Sequence, residues 1–305
     1  MMLLRKIYYM ALNMLPLFIK RGVQRSWLVQ TCRRASRQRQ FQSVKNVREK
    51  SIAKNGICGP DELFEHLRSD GITEGDTLFV QCSFNNLHTF GASPLELLTV
   101  LERLVGISGT LLMPAYTEPK CPGKIFKPAN EPTYAGIVNE IFRRSPDVIR
   151  SSHTRHSICG RGPLAKEILA DHETSARADG AGSPFDKIRL LPNAKILTLG
   201  LPAGYLSFLH WVEDIEPEKL PFPVSTPEPT TNMIELPNGS LASILDWPVK
   251  PSVARRLSLR RISTRLTPNC HRYYQYKGIN IGVYVVAPLA EELLALRDRG
   301  IIHYK

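Results

Sequence analysis

From residue 56 onward, apolar runs of two kinds alternate along the chain. Thr77–Cys82 (TLFVQC), Thr110–Met113 (TLLM), Lys195–Leu199 (KILTL) and Ile279–Val286 are short and continuously apolar, and glycine or turn residues bound them. Runs of that length and enrichment read as strands buried on both faces. Between them, apolar residues recur at helical spacing. Leu63, Phe64 and Leu67 do so in Pro60–Arg68; Leu97, Leu98, Val100, Leu101 and Leu104 follow Ser93; and Ile137, Val138, Ile141 and Phe142 lie in Ala135–Arg144. Pro163–Ala170, Leu206–Asp214 and Pro288–Arg299, with Leu289, Leu293, Leu294 and Leu296, complete the helical set. Ser93-Pro94-Leu95-Glu96 carries a start signal: Ser93 can cap, Pro94 fits the first turn, and Glu96 can return the bond to the capping residue. The alternation predicts an α/β fold, a mixed β-sheet covered by helices on both faces. Residues 231–247 differ: Leu236-Pro237-Asn238-Gly239-Ser240 is a turn between two short extended runs, a small β-hairpin subregion. No internal repeat is present.

Charge divides the chain. Of 305 residues, 40 are Lys or Arg and 28 are Asp or Glu, for a net charge of +12. Residues 1–54 hold 13 of the bases and a single acid, Glu49, so the remainder is neutral. The organisation expected is a basic, partly apolar N-terminal extension over 1–55 and one catalytic-sized domain over 56–305. Within the extension, Ile7–Ile19 is an apolar run broken by Asn13 and Pro16. It is too short to cross a hydrocarbon core, which needs ~20 helical residues. No small-residue cleavage site follows, as a signal peptide would require. Two readings stay open: a peripheral helix resting on anionic lipid from the cytoplasmic side, or a basic extension without a role of its own. Nucleic acid is not the expected partner, because Trp27 and Phe41 are the only aromatics near the arginines. The six cysteines show no CxxC pairing, which fits dispersed thiols in a reducing cytoplasm better than a zinc ribbon or a disulfide framework.

Three polar stretches exceed what a core needs. Gln81-Cys82-Ser83-Phe84-Asn85-Asn86 closes the first strand, where open α/β sheets bind ligands. Arg150-Ser151-Ser152-His153-Thr154-Arg155-His156-Ser157 places two histidines three apart among hydroxyls and arginines, without a local third metal ligand. Leu209-His210-Trp211-Val212-Glu213-Asp214, followed by Glu216 and Glu218, puts His210 and Glu213 on one helical face. A carboxylate on a mostly apolar face is costly unless paired.

In order, these motifs resemble the aminoglycoside 3-N-acetyltransferases. The resemblance runs from about Gly56 to Glu218. It rests on Gly75–Val80 leading to Ser83, on Gly109–Thr117, on Arg150-Ser151-Ser152-His153 with Ser157, on Gly182-Ser183-Pro184 with Leu197–Gly200, and on Leu209-His210-Trp211-Val212-Glu213. Departures are Gln81 where the family often has His, Thr154 where Pro is usual, and Lys127 where Asp is frequent. The resemblance implies acetyl transfer from acetyl-CoA to a primary amine of an amino sugar, without a metal, and antibiotic resistance as one outcome. It implies His153 as general base with Glu213 orienting it, and His156 as the rival base. Ser83, Thr117, Ser157 and Ser183 become candidates for the acetyl-CoA contacts, and Asp214, Glu216 and Glu218 for attraction of a polycationic acceptor. The chemistry fits those residue types, since an ammonium must lose a proton before its nitrogen can attack a thioester, and a neutral imidazole accepts one near pH 7. A second acceptor class stays open, a nucleotide- or lipid-linked amino sugar of surface polysaccharide synthesis. That class would give the Arg255, Arg256, Arg260, Arg261 and Arg265 cluster an anion to meet. Two further readings remain: a binding protein without turnover, and a metal-dependent hydrolase using His153, His156 and Glu213. The oligomeric state, monomer or homodimer, is left open.

Overall fold

The computed structural model describes residues 42–117 and 124–305. Residues 42–54 are helical, and the expected apolar run at 7–19 lies outside the described residues. Among the described residues no helix is long and apolar enough to cross a membrane.

Residues 55–305 form one compact unit. Its elements in chain order begin α1 (Pro60–Ser69), β1 (Thr77–Cys82), α2 (Pro94–Val105), β2 (Thr110–Pro114), α3 (Ile137–Arg143), β3 (Ile149–Arg150) and β4 (Ile158–Arg161). There follow α4 (Ala165–Leu169), α5 (Pro184–Ile188), β5 (Ala194–Leu199), α6 (Leu209–Ile215), β6 (Thr230–Glu235) and β7 (Leu241–Asp246). The last are α7 (Pro251–Ala254), α8 (Arg260–Ser263), β8 (His271–Tyr276), β9 (Ile279–Val285) and α9 (Val286–Asp298).

Seven strands form one sheet in the order β3-β4-β2-β1-β5-β9-β8. The centre is parallel, with β1 between β2 and β5, and both flanks are antiparallel. Strand periodicity assigns the two faces. Leu78 and Val80 of β1 pack with Leu63 and Leu67 of α1, Leu97 and Leu101 of α2 and Phe142 of α3. Phe79 points the other way, to Ile168 of α4, Phe185 of α5, Trp211 of α6 and Leu289 and Leu293 of α9. The expected mixed sheet with helices on both faces is therefore the one found. The capping box at Ser93 also forms, Glu96 N–H donating to Ser93 Oγ and Ser93 N–H to Glu96 Oε2.

Several boundaries move for local reasons. The helix expected over 163–170 begins only at Ala165, because Gly162 at φ +123° packs against the backbone of Gly109 and Thr110. The last helix starts two residues before Pro288, which is tolerated there because a first-turn N–H has no intrahelical acceptor. Strands β3 and β4 lie outside the strands expected from sequence, and so does β8. Its hairpin to β9 turns at Lys277 (φ 45°) and Gly278 (φ 77°), both left-handed as a two-residue hairpin loop requires. The small hairpin β6–β7 is present, and Phe126 joins its edge, N–H to Met233 O at 2.8 Å.

Candidate active site

Helix α6 buries Leu209, Trp211 and Val212 in the core and turns His210 and Glu213 to a cleft of about 300 Å³. His210 Nδ1 lies 3.0 Å from Glu213 Oε2, and about a third of the His210 side chain is open. From the C-terminal segment, His303 Nε2 comes within 2.8 Å of Glu213 Oε1. One buried carboxylate thus stands between two imidazoles. Burial raises the Glu213 carboxyl, but His210 and His303 outweigh it and hold it at about 2. Burial lowers the His210 imidazole, and the Glu213 charge overrides it, pushing it up to about 9.

A second histidine–carboxylate pair faces the same cleft. His156 Nδ1 lies 2.6 Å from Asp179 Oδ2, and the His156 ring meets that of His210 edge-on at 5.9 Å. Asp179 N–H donates to Asp214 Oδ2 at 3.1 Å. Burial and then the neighbouring Asp179 charge push the Asp214 carboxyl up to about 6. Asp246 also lines the cleft and pairs with Arg155 at 3.4 Å. Four carboxyl groups on one concave wall favour a ligand with several positive charges.

Beside the cleft is a second pocket of about 370 Å³, at the carboxyl ends of β1 and β2. Gln81, Ser83 and Pro114 line it, and Tyr116, Tyr134, Tyr205 and Ser207 are shared by both cavities. Gln81 fixes Ser207 twice: its Nε2 donates to Ser207 Oγ at 2.7 Å, and its Oε1 accepts Ser207 N–H at 2.9 Å. Because Ser207 Oγ already accepts a bond, its own O–H is the donor on that side chain, and the Tyr116 phenol oxygen is a partner for it. Burial, and next the Asp179 charge, raise the Tyr116 phenol well above its ordinary value, so it stays protonated. Gly200 closes β5 at φ +68°, where a side chain would strike the Ser83 carbonyl, and this brings the two strand ends together.

The residues expected from sequence are placed as follows. His153 is fully buried and lines neither cavity. Its Nδ1 accepts the backbone N–H groups of Arg155 (3.3 Å) and His156 (3.2 Å), and its ring stacks on His172 at 4.9 Å. Burial first, then its charged neighbours, hold it well below the usual imidazole range. No hydrogen bond or ion pair among the described residues joins His153 to Glu213, whose oxygens lie 3.0 Å from His210 Nδ1 and 2.8 Å from His303 Nε2. Ser83 lines the second pocket. Thr117, Ser157 and Ser183 turn inward instead: Thr117 Oγ1 donates to the Thr154 carbonyl, Ser157 Oγ donates to Ala115 O at 3.0 Å, and Ser183 caps α5 by accepting Asp186 N–H. Each is satisfied by the fold. Asp214 is in the cleft, whereas Glu216 pairs with Lys219 and Arg297 and Glu218 lies exposed outside it. The arginines at 255–265 line neither cavity; Arg256 covers the Phe222 ring at 4.5 Å, and Arg261 Nε donates to Ile302 O. His210 carries no role in the sequence reading, although its His-x-x-Glu spacing marks it, and it lies in the cleft beside Glu213. Asp179, Asp246 and His303 have no local signal, because only the tertiary fold gathers them.

A family model described as aminoglycoside 3-N-acetyltransferase matches residues 79–252. Aminoglycoside N(3)-acetyltransferase IV of Salmonella sp is 31% identical over 158 residues, covering 50% of this chain and 57% of the relative. Aminoglycoside N(3)-acetyltransferase III of Salmonella sp is 28% identical over 171 residues, covering 50% and 59%. The matched region thus spans under two thirds of these relatives' length. Among solved structures, aminoglycoside acetyltransferase AAC(3)-Xa is similar with a TM-score of 0.70 at 18% identity, over 85% of this chain and 99% of that one. AAC-IIIb, a binary complex with CoASH, is similar with a TM-score of 0.67 at 19% identity, over 82% and 99%. At these identities the structural likeness establishes the fold.

Proposed function

The chain belongs to the aminoglycoside 3-N-acetyltransferase family, and from that premise we propose that residues 56–305 transfer an acetyl group from acetyl-CoA to an amine of a polycationic, aminoglycoside-like amino sugar. The observation that carries this reading is the His210–Glu213 pair, open to an acidic cleft that shares a wall with a pocket at the strand ends.

His210 is the base. Glu213 holds its Nδ1–H, which leaves Nε2 as the acceptor for the proton of the incoming ammonium. His303 Nε2 stands 2.8 Å from the other carboxylate oxygen and limits the rotation of the acid. Glu213 also favours the imidazolium as it forms, the service an orienting carboxylate gives a catalytic histidine. Asp179, Asp214 and Asp246 receive the remaining ammonium groups and align the reacting one. The family and the strand-end pocket both support acetyl-CoA as the donor, which when bound supplies an activated acyl carbon. Ser83 and Asn85 are suited to hold its arm, and the Ser207 O–H in the shared wall, which bonds the Tyr116 phenol, can turn to donate to oxygen that gains negative charge. In this reading His153 positions His156 by bracing the turn between them.

The acidic lining favours a polycation over an anionic nucleotide- or lipid-linked sugar, and the arginine cluster that would have met such an anion packs elsewhere. The test is acetyl-CoA consumption across aminoglycosides and nucleotide-linked amino sugars. Turnover with aminoglycosides is expected. Turnover confined to nucleotide-linked sugars overturns the acceptor, and none with either overturns the reading.

A further inference from the structure

We propose that His210, Glu213 and His303 form a reversible binding site for a d-block divalent cation of the zinc type, and that occupancy silences the base. The silencing rests on the reading of His210 given above; the binding does not.

The donor set comes from two separate parts of the chain, a helical His-x-x-Glu and a histidine near the C-terminus. One ligand atom from each lies within 4.8 Å of the others. Four-coordinate zinc, with bonds of about 2.0–2.1 Å, places neighbouring donors roughly 3.3 Å apart. The His210 Nδ1–Glu213 Oε2 and His303 Nε2–Glu213 Oε1 separations, 3.0 and 2.8 Å, need to open only slightly for a cation held by both carboxylate oxygens, while the two imidazole nitrogens, within 4.8 Å of each other, would draw together around it. The second contact carries a further signal. Glu213 is 5% exposed, and its Oε1 makes no aligned hydrogen bond although His303 Nε2 is so near. A buried carboxylate oxygen with an imidazole nitrogen close but misaligned for a shared proton suits a shared cation. Two imidazoles and one carboxylate select zinc-like ions over magnesium or calcium, which prefer oxygen alone. The cleft gives the ion an entrance and leaves a coordination position open. Tyr304, kept protonated by burial and then by the Glu213 charge, is itself a hydrogen-bond donor to the carboxylate and would stay as an outer partner of the bound ion.

Occupancy changes His210 through its tautomer. In the working state Nδ1 carries the proton and Nε2 the lone pair. A cation at Nδ1 takes that nitrogen's lone pair, and the proton it displaces moves to Nε2. The ring stays neutral, and Nε2 becomes an N–H donor that can accept no proton from an amine.

The experiment uses the full chain, freed of metal with a chelator and titrated with Co2+, whose visible absorption reports four-coordinate geometry, and then with Zn2+. One Co2+ per chain is expected, displaced by Zn2+, with affinity falling about 100-fold or more in both Glu213→Gln and His303→Gln. Thermal melts of both variants check that they are folded. No four-coordinate spectrum in the wild type, or equal binding in the wild type and either folded variant, overturns the site. Zn2+ should lower amine acetylation at least 10-fold, with recovery on adding chelator. Equal inhibition of the wild type and His303→Gln overturns the silencing. A Co2+ spectrum that depends on both residues, in a protein that acetylates no amine, upholds the cation site while the acetyltransferase reading fails.

Discussion

His153 and His210 stand one ring away from the same neighbour, His156, at 6.0 and 5.9 Å, yet their surroundings make them different chemical groups. His153 is sealed, stacked on another imidazole, and held neutral by burial. His210 opens to a cleft, and a carboxylate more than compensates for its desolvation. The type of residue is the same, and the difference lies in what faces Nδ1. For His153 this is a pair of backbone N–H groups, so Nδ1 must be the acceptor. For His210 it is a carboxylate, so Nδ1 must carry the proton and Nε2 is released for chemistry. A turn-bracing histidine and a proton-accepting histidine are thus told apart by tautomer.

The largest effect that tests this contrast is on turnover. His210→Ala is expected to lower acetylation 10²–10⁴-fold, the usual worth of a positioned base, with little change in the affinity for acetyl-CoA. Rates measured with saturating acetyl-CoA and acceptor check it. Full activity in the variant would transfer the base to His156, which has its own carboxylate in Asp179.

The pH dependence follows from the same pair. Glu213 raises the folded-state His210 imidazole to about 9 from an ordinary 6.5. The base works when neutral, so kcat/KM should climb about tenfold per pH unit up to about 9 and then level. Stability should run the other way. The ion pair is fully present below pH 6.5 and is lost as pH rises through 9, so the melting temperature should fall across that window. A Glu213→Gln variant should shift the rate limb to lower pH. A limb that does not move separates the limb from this pair.

His153→Ala sharpens the other side of the contrast. The variant leaves two backbone N–H groups without their acceptor and opens a cavity, at a cost of about 2–5 kcal/mol. Denaturant melts should record the loss, while turnover per folded molecule falls less than 10-fold. A loss of activity as large as that of His210→Ala, with stability unchanged, would place His153 in the reaction.

What could be read along the chain divides along a similar line. The central strands β1, β2, β5 and β9, the capping box at Ser93 and the His-x-x-Glu spacing on α6 are properties of contiguous residues, and their patterns carry them. The Arg-Ser-Ser-His stretch is equally visible, but nothing local says which way His153 faces; its ring is buried against His172, which lies 19 residues on. Thr117, Ser157 and Ser183 show the limit from the other side. Hydroxyls near strand ends look like ligand donors, and here each one satisfies a backbone group. Asp179 and His303 reach the site across 34 and 90 residues from Glu213, so no pattern around either residue announces it.

The smallest expected effect concerns the acidic wall, and it separates attraction from chemistry. Asp246 lines the cleft but touches neither histidine pair; its partner is Arg155 at 3.4 Å. Asp246→Asn keeps the shape and removes one charge. The KM for a polycationic acceptor should rise a few-fold while kcat holds, because uniform binding is lost and the proton transfer is not. The effect should shrink with added salt, since part of the cleft is open to solvent. It should also shrink for an acceptor with a single amine, which has no second ammonium to place against this carboxylate. A fall in kcat with KM unchanged would move Asp246 from the binding wall to the reacting atoms. The contrast would then lie between a sealed histidine and a wider catalytic cluster.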